Sequence, residues 1–296
     1  MTEPARYSLH NDQLHVEISS NGAELQSIIA NGIERLWEGD PTVWGRKAPL
    51  LFPLIGRLRD QTYEYHSKPI EAPMHGFCRD RLFSAEQLSD SMIRFSTKAD
   101  ESTRKVYPFD FELTITYTLN GNTLAKTHSV KNCGENDMPF EIGGHEAYVT
   151  RLLPGETMAD YYIQFENGTD SLKMFSMDEG GILSLPKMTV PLEQDRLTQT
   201  PEQLSIDTIV LDHVPGSQVT LGATTNSYTT TITFPDFPYL GIWTMAGQPD
   251  PRYICIEPWS ALPDAYFSPR ELSEKPGVRT LAPGEETHLT YLMTFA

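Results

Sequence analysis

Apolar and polar residues alternate along much of this chain, most clearly over residues 107–119. The apolar positions there include Phe109, Phe111, Leu113, Ile115, Tyr117 and Leu119, with mainly Asp, Glu and Thr between them. Because successive side chains of a β-strand point to opposite faces, this spacing predicts a strand with one face on a core and the other towards water. Asn120-Gly121 predicts a tight turn into a second strand over 123–131, so the stretch is expected to form a hairpin.

The same pattern recurs from one end of the chain to the other. Further strands are predicted over 14–18, 23–29, 92–99, 160–165, 218–221, 228–234, 239–244, 253–257 and 288–295, with a strand-turn-strand over 61–70. Residues 167–203 have mixed periodicity and several prolines, and they are predicted to form strands and long connections. No helical period persists for twelve residues, and no repeat or linker is visible. The simplest account is one all-β domain over residues 1–296, a large antiparallel β-sandwich.

The net charge and the composition limit the classes of molecule that this protein is expected to bind. Lys and Arg number 23 against 40 Asp and Glu, which gives a formal net charge of -17. Such a charge repels nucleic acid and anionic membranes, and no basic block or Walker-type loop reverses it locally. Uncharged polar ligands such as sugars are not repelled by this charge. The sequence therefore predicts a small-molecule partner, with no nucleic acid and no membrane.

Localisation and cysteine usage are expected to be those of a cytoplasmic protein. No run of eighteen apolar residues could span a membrane, and the N-terminal residues lack the basic and apolar regions of a secretory signal. Cys78, Cys133 and Cys255 lie far apart in the sequence, and their spacing favours neither a disulfide framework nor a zinc site. The oligomeric state is left open.

Two residues stand out as candidates for acid and base chemistry. His145 follows an apolar run and two glycines, where a strand end opens space for a pocket; the alternative is a hydrogen-bonded structural histidine. Glu257 ends the run Tyr-Ile-Cys-Ile-Glu, whose two faces are both largely apolar, so the strand is expected to be interior. Burial would raise the pKa of such a carboxyl above about 4.3, which suits a general base; the alternative is a structural ion pair with an arginine.

Binding residues are harder to single out. Arg57 and Arg79 follow extended segments, and their planar donor groups suit hydroxyls, carboxylates or phosphates; a surface position is the alternative, more so for Arg79 beside Asp80. His75 precedes a glycine, which makes a binding loop or a simple turn equally reasonable. Asp207 precedes an apolar strand, where acidic residues usually cap or turn the chain.

Several of these residues lie in motifs that resemble those of the aldose 1-epimerases, the galactose mutarotase-like proteins, and within them the bacterial branch with the lactose-operon X-type proteins. The motifs cover almost the whole chain: Phe-Pro-Leu-Ile-Gly-Arg at 52–57, Met-His-Gly-Phe-Cys-Arg-Asp at 74–80, Tyr-Pro-Phe at 107–109, Met-Pro-Phe at 138–140 with Gly-Gly-His at 143–145, Gly-Ile-Trp-Thr at 241–244, and Cys-Ile-Glu-Pro-Trp at 255–259 with Leu-Pro-Asp at 262–264.

The resemblance implies a large twisted β-sandwich that interconverts the α and β anomers of a monosaccharide without cofactor or metal. By position in the motifs, Glu257 would remove the proton of the anomeric hydroxyl and His145 would donate a proton to the ring oxygen. His75, Arg57 and, in a loosely matching region, Asp207 would bind the sugar. A non-catalytic sugar-binding protein and a hexose-6-phosphate epimerase are the alternatives.

The chain departs from the family pattern at two places. Glu146 replaces the proline that commonly follows the histidine, so a carboxylate is expected either to raise the pKa of His145 or to face solvent. Glu-Pro-Trp at 257–259 replaces the Glu-Thr-Gln of galactose-specific enzymes, so a preference for galactose does not carry over.

Overall fold

The computed structural model describes residues 3–198, 208–245 and 251–296 of the 296-residue chain. Its described strands are β1 (Arg6–His10), β2 (Leu14–Ser19), β3 (Leu25–Ala30), β4 (Ile33–Glu34), β5 (Thr62–Tyr65), β6 (Lys68–Glu71), β7 (Ser84–Ser89), β8 (Met92–Lys98), β9 (Phe111–Asn120), β10 (Thr123–Asn132), β11 (Met138–Phe140), β12 (Glu146–Val149), β13 (Tyr161–Phe165), β14 (Ser171–Met177), β15 (Leu183–Pro191), β16 (Arg196–Thr198), β17 (Thr208–Leu211), β18 (Gln218–Ala223), β19 (Thr230–Thr233), β20 (Tyr239–Trp243), β21 (Tyr253–Trp259), β22 (Arg279–Leu281) and β23 (Glu286–Phe295).

Helical structure is confined to single turns in the described ranges. The only α-helix there is α1 (Glu101–Arg104), and 3-10 turns occupy Arg59–Gln61, Cys78–Asp80, Met158–Asp160 and Leu272–Glu274. The Asp100 side chain accepts hydrogen bonds from the backbone N–H groups of Ser102 and Thr103, which caps α1. No helix in the part of the chain described is both long and apolar enough to cross a membrane.

A nine-stranded antiparallel sheet forms one layer, in the order β16-β13-β18-β19-β23-β10-β9-β8-β7. The hairpin predicted from the alternating pattern is confirmed: β9 and β10 pair from Phe111 opposite Asn132 to Asn120 opposite Thr123. The core-facing positions of β10 are Leu124, Lys126, His128, Val130 and Asn132. Three of these five residues are polar, so this face of β10 carries groups that need partners inside the protein.

A six-stranded antiparallel sheet forms the second layer, in the order β12-β21-β20-β17-β14-β15. Strand β21 lies between β12 and β20 and all seven of its residues are buried, which confirms the prediction of an interior strand ending near Glu257. Residues 171–191 form the β14–β15 hairpin within the segment of mixed periodicity. Pro186 and Pro191 are accommodated because β15 is the edge strand of the sheet.

The two large sheets and the four-stranded sheet β1-β2-β3-β4 share one apolar core. It joins buried residues such as Val16 of β2, Ile115 of β9 and Ile254 of β21. The predicted all-β antiparallel sandwich is confirmed. The organisation as one domain stays a prediction.

Candidate active site

One cleft of about 310 Å³ collects residues from loops and strand ends that are distant in sequence. Its lining residues are Trp44, Arg46, Pro49, Gly56, Arg57, Met74, His75, Arg79, His145, Met177, Gly181, Thr208, Trp243, Glu257, Trp259 and Pro263. Four of the five predicted site residues, Arg57, His75, His145 and Glu257, are therefore brought together. Asp207 lies outside the described residues, and the role predicted for it stays a prediction.

His145 and Glu257 face each other because of the register between two neighbouring strands. In the β12–β21 ladder, Glu146 lies opposite Ile256, so the preceding residue His145 comes next to the following residue Glu257. His145 Nε2 lies 3.4 Å from Glu257 Oε1, and both side chains are buried. A histidine and a glutamate, the residue types expected for an acid and a base, thus lie side by side in the cleft.

Aromatic rings hold the His145 imidazole in place. Trp44 stacks on it at a centroid distance of 5.2 Å, and Trp243 and His75 each meet it edge-on at 5.6 Å. Burial lowers the pKa of His145 to about 3, and the positive charges of Arg79 and Arg46 contribute to the shift. The imidazole is therefore neutral near pH 7.

The two glycines before His145 are required by packing within the protein. A Cβ on Gly143 would lie 2.7 Å from Cδ1 of Trp259, and one on Gly144 would lie 2.2 Å from the Tyr291 hydroxyl oxygen. Gly143 exchanges two backbone hydrogen bonds with Leu51, both of 3.1 Å. The two glycines thus allow close packing against the protein's own residues.

Buried carboxylates anchor the His145 segment on both sides. Glu141 accepts a hydrogen bond of 2.7 Å from the Ile55 backbone N–H and forms an ion pair with Lys275. Glu146 forms an ion pair of 2.8 Å with Lys126, at the core face of β10. Both ion pairs are buried, so the segment between them is held firmly.

Both expectations for Glu146 are wrong. Its side chain is fully buried rather than exposed, and it accepts hydrogen bonds from Lys126 Nζ and from the Tyr291 hydroxyl, the latter at 2.5 Å. The pKa of His145 is lowered, not raised. The physical reason is that neighbouring residues on a strand point to opposite faces, so Glu146 turns towards the nine-stranded sheet while His145 faces the cleft.

His75 lies on a strained turn beside the cleft. Its φ is +63°, its N–H donates to the Gly56 carbonyl at 2.9 Å, and its Nδ1 accepts the Gly56 N–H at 3.1 Å. Burial lowers the pKa of His75 well below its ordinary value, and His145 and Arg79 add to the effect. Because Nδ1 of the neutral ring is an acceptor, Nε2 carries the proton and can donate to a ligand.

Three arginines line the cleft. Arg46 and Arg79 lie on either side of Asp80, at 2.9 Å and 3.6 Å, and the Arg79 side chain is only 14% exposed. The alternative of an ordinary surface position for Arg79 is therefore wrong. Arg57 is exposed, and no hydrogen bond or ion pair engages its guanidinium within the described ranges.

Sequence reasoning missed Trp44, Arg46 and Trp243 as site residues. A tryptophan in a polar loop between Pro41 and Pro49 was the signal available for Trp44, since a large aromatic outside any strand needs a reason to be there. Trp259 also lines the cleft, but it is only 3% exposed and packs mainly against other core residues.

One group of side chains in the described ranges could hold a metal ion. His145, Cys255 and Glu257 each offer a ligand atom, and these atoms lie within 4.8 Å of one another. Burial raises the pKa of the Cys255 thiol well above its ordinary value, and the thiolate is the form that binds metals. The protein surroundings of Cys255 therefore oppose its use as a ligand.

Comparison with known proteins defines the class to which this fold and cleft belong. The family model for aldose 1-epimerase matches residues 5–294, and the chain belongs to that family. The plasmid-encoded protein LacX of Lactococcus lactis subsp. lactis is 32% identical over 296 residues, which cover 97% of this chain and 98% of LacX. The family resemblance predicted from the motifs is confirmed.

Solved structures of similar proteins share the fold of this chain. A galactose mutarotase related enzyme from Lactobacillus acidophilus superposes with a TM-score of 0.92 at 31% identity, covering 99% of this chain and 97% of that one. A galactose mutarotase-like protein from Lactobacillus casei superposes with a TM-score of 0.90 at 29% identity, covering 99% of this chain and 100% of that one. The predicted galactose mutarotase-like sandwich is confirmed.

Proposed function

We propose that this protein interconverts the α and β anomers of a hexopyranose by acid–base ring opening, without a cofactor. The observation that carries the proposal is the pairing of His145 Nε2 with Glu257 Oε1 at 3.4 Å within the cleft. Opening a cyclic hemiacetal needs one group that accepts the proton of the anomeric hydroxyl and one that protonates the ring oxygen. Membership of the aldose 1-epimerase family supports a sugar substrate.

In this mechanism Glu257 takes the proton of the C1 hydroxyl while the bond between C1 and the ring oxygen breaks. His145, in its imidazolium form, passes a proton to the ring oxygen and becomes neutral, which gives the open-chain aldehyde. Rotation about the C1–C2 bond and reclosure, with the two roles reversed, give the other anomer. Because one group gains a proton as the other loses one, the net charge of the site is unchanged at every stage.

The positive charges near His145 assist this reaction. Burial, together with the charges of Arg79 and Arg46, lowers the pKa of the His145 imidazolium, so this protonated form is a minor species near pH 7 and releases its proton readily to the ring oxygen. The same charges stabilise negative charge that develops on the ring oxygen. In this proposal His75, through Nε2–H, and Arg57 bind sugar hydroxyls, and Trp44 and Trp243 contact the apolar parts of the ring; all four line the cleft.

Nuclear magnetic resonance saturation transfer between the α and β anomeric protons tests the proposal with D-glucose and D-galactose. We expect the wild-type protein to accelerate exchange, and Glu257→Gln and His145→Asn each to lose about 10²–10⁴-fold of kcat. His288→Asn is the matched control, because that side chain is 62% exposed and remote from the cleft. Sugar binding in calorimetry without any acceleration would instead support a non-catalytic sugar-binding protein.

A hexose 6-phosphate is a second candidate substrate, favoured by Arg46, Arg57 and Arg79 in a chain with a net charge of -17. Arginine is well suited to phosphate because its donors match two phosphate oxygens at once. The same exchange measurement with glucose 6-phosphate, and with glucose in the presence of inorganic phosphate, separates the two substrates. Strong competition by phosphate would favour the sugar phosphate.

A further inference from the structure

Arg57 lies in the cleft with its charged group available to a ligand. Its side chain is exposed, and among the residues that the structure describes no hydrogen bond or ion pair engages the guanidinium. An arginine side chain has several rotatable bonds, so ordering it on a ligand costs conformational entropy and weakens binding. A contact that holds the side chain in place before the ligand arrives reduces that cost.

The stem of Arg57 is supported by the backbone of Gly181. A Cβ on this glycine would lie 3.2 Å from Cδ of Arg57 and 3.6 Å from its Nε, so the side chain passes directly over the glycine. Gly181 also has a φ of +80°, which residues other than glycine rarely adopt. The space and the backbone conformation therefore both favour glycine at the point where the turn meets Arg57.

The turn over residues 178–182 is closed by Asp178. The Asp178 N–H donates to the Ile182 carbonyl at 3.1 Å, its carbonyl accepts the Gly181 N–H at 3.0 Å, and its Oδ1 accepts the Ile182 N–H at 2.9 Å. The second oxygen, Oδ2, accepts the hydroxyl of Tyr266 at 2.5 Å. This last hydrogen bond is the largest cause of the lowered pKa of Asp178, so the carboxylate is charged near pH 7 and the hydrogen bond is charge-assisted.

The backbone of Tyr266 is tied to the segment that carries Arg57. The Tyr266 N–H donates to the Leu183 carbonyl at 2.9 Å, directly after the turn, and the Leu183 N–H donates to the Asp264 carbonyl at 3.0 Å. The Asp264 carboxylate accepts hydrogen bonds of 3.1 Å from Nε and from one terminal nitrogen of Arg59. Because Arg59 is two residues beyond Arg57, the contacts run from the Arg57 stem through the turn and Tyr266 back to the same segment.

We propose that Tyr266 is a positioning residue for sugar binding. Its hydroxyl fixes the 178–182 turn through Asp178, and the turn holds the stem of Arg57 so that the guanidinium is presented to the ligand. Tyr266 acts in this way through Arg57 and not by touching the sugar. The inference rests on the proposed function, since the role of Arg57 in binding the sugar belongs to it.

Tyr266→Phe tests the inference by removing the hydroxyl alone, from a side chain that is 59% exposed. We expect KM for the exchanged sugar, D-glucose or D-galactose, to rise by about threefold to tenfold, the factor of one ordinary hydrogen bond, with kcat unchanged. The reason is that a binding contact stabilises the ground state and the transition state alike. Tyr7→Phe is the matched control, because it removes the same atom from a residue of β1 that does not line the cleft.

A double-mutant cycle separates an action through Arg57 from any other. In an Arg57→Ala background, Tyr266→Phe should cause no further change in kcat/KM, because the side chain that it positions is absent. An equal fall of kcat/KM with and without Arg57, or no rise of KM in the single variant, would overturn the inference and leave the epimerase standing.

Nuclear magnetic resonance relaxation of the Arg57 Nε–Hε group tests the same inference without a reaction. The signal is assigned by its loss in Arg57→Lys. Its order parameter should fall in Tyr266→Phe and stay at the wild-type value in Tyr7→Phe. If no sugar is exchanged, the epimerase fails and this measurement alone decides: a lower order parameter supports the positioning role, and an unchanged one overturns it.

Discussion

The side chains of two adjacent residues, His145 and Glu146, point to opposite faces at the start of strand β12. His145 faces the cleft beside Glu257, whereas Glu146 crosses the space between the sheets to Lys126. Removing a buried charge from its partner costs much more than the pair itself contributes, because the remaining charge stays out of water. The residue that follows the histidine is therefore a structural anchor.

Lys126→Met should destabilise the protein by about 3–5 kcal/mol, since it leaves the Glu146 carboxylate buried without its cation. The double variant Lys126→Met with Glu146→Gln should recover much of that loss. Urea unfolding followed by tryptophan fluorescence measures both. Lys98→Met is the control: Lys98 and Glu112 form an exposed pair at 3.3 Å, for which a change of about 0–1 kcal/mol is expected. A Lys126→Met protein as stable as wild type would contradict the anchoring role.

The sequence singled out four residues that the structure brings together in one cleft, His145, Glu257, Arg57 and His75, because each stands in a short motif with a recognisable neighbour. Lys126 could not be found in the same way. It lies in a strand with regular alternation, and nothing in that alternation shows that the face with a lysine, a histidine and an asparagine is the buried one. Only the pairing of distant strands supplies its partner.

At the scale of elements, close packing between the neighbouring strands β20 and β21 sets the shape of one side of the cleft. Gly241 lies opposite Glu257 in this pair, and the ring of Trp259 covers Gly241 so closely that a Cβ there would lie 2.4 Å from Cζ2. Trp259 also touches Gly143 of the segment that carries His145. One buried ring thus fixes the spacing between the two elements that carry His145 and Glu257.

Gly241→Ala should displace the Trp259 ring and destabilise the protein by about 1–3 kcal/mol, the usual cost of overpacking a core. The displaced ring lines the cleft, so anomer exchange should also fall. Gly134→Ala serves for comparison, because a Cβ there would be no closer than 3.4 Å to its neighbours. Equal stability of the two variants in urea would argue against this account of the β20–β21 contact.

The strands themselves were largely predictable, since alternation of apolar and polar residues directly reports a half-buried strand. The order of strands in the sheets was not, because β19 pairs with β23 and β10 with β23 across long stretches of chain. The cleft depends on that order. Trp44 and Arg46 reach it from a loop, and although a tryptophan there is a signal, the sequence does not show which strands that loop meets.

At the scale of the whole molecule, buried histidines link stability to pH. Burial lowers the pKa of His128 well below its ordinary value and that of His145 to about 3. Both groups are neutral when folded, whereas the unfolded chain takes up protons near pH 6.5. Protonation therefore favours unfolding, and the stability present above pH 6.5 is lost as the pH falls towards 3.

We expect the free energy of unfolding to fall below pH 6.5 by about 1.4 kcal/mol per pH unit for each such histidine. Urea unfolding at pH 7.5 and pH 5.5 measures the loss. His128→Gln should reduce this loss by about one half of the part that the two histidines cause, and His15→Gln, at an exposed position of β2, should leave the loss unchanged. A pH dependence that is the same in all three proteins would exclude His128 as a source.

The prolines of β15 affect the tendency of this protein to associate with other copies of itself through β-strand pairing. An edge strand normally presents a row of free N–H and C=O groups on which a strand of another molecule can add. Pro186 and Pro191 have no N–H group. The edge strand of the six-stranded sheet therefore lacks two of the hydrogen-bond donors that an added strand would need. Intermolecular strand addition is disfavoured at that edge, and the hairpin that borders the cleft is kept from growing into an aggregate.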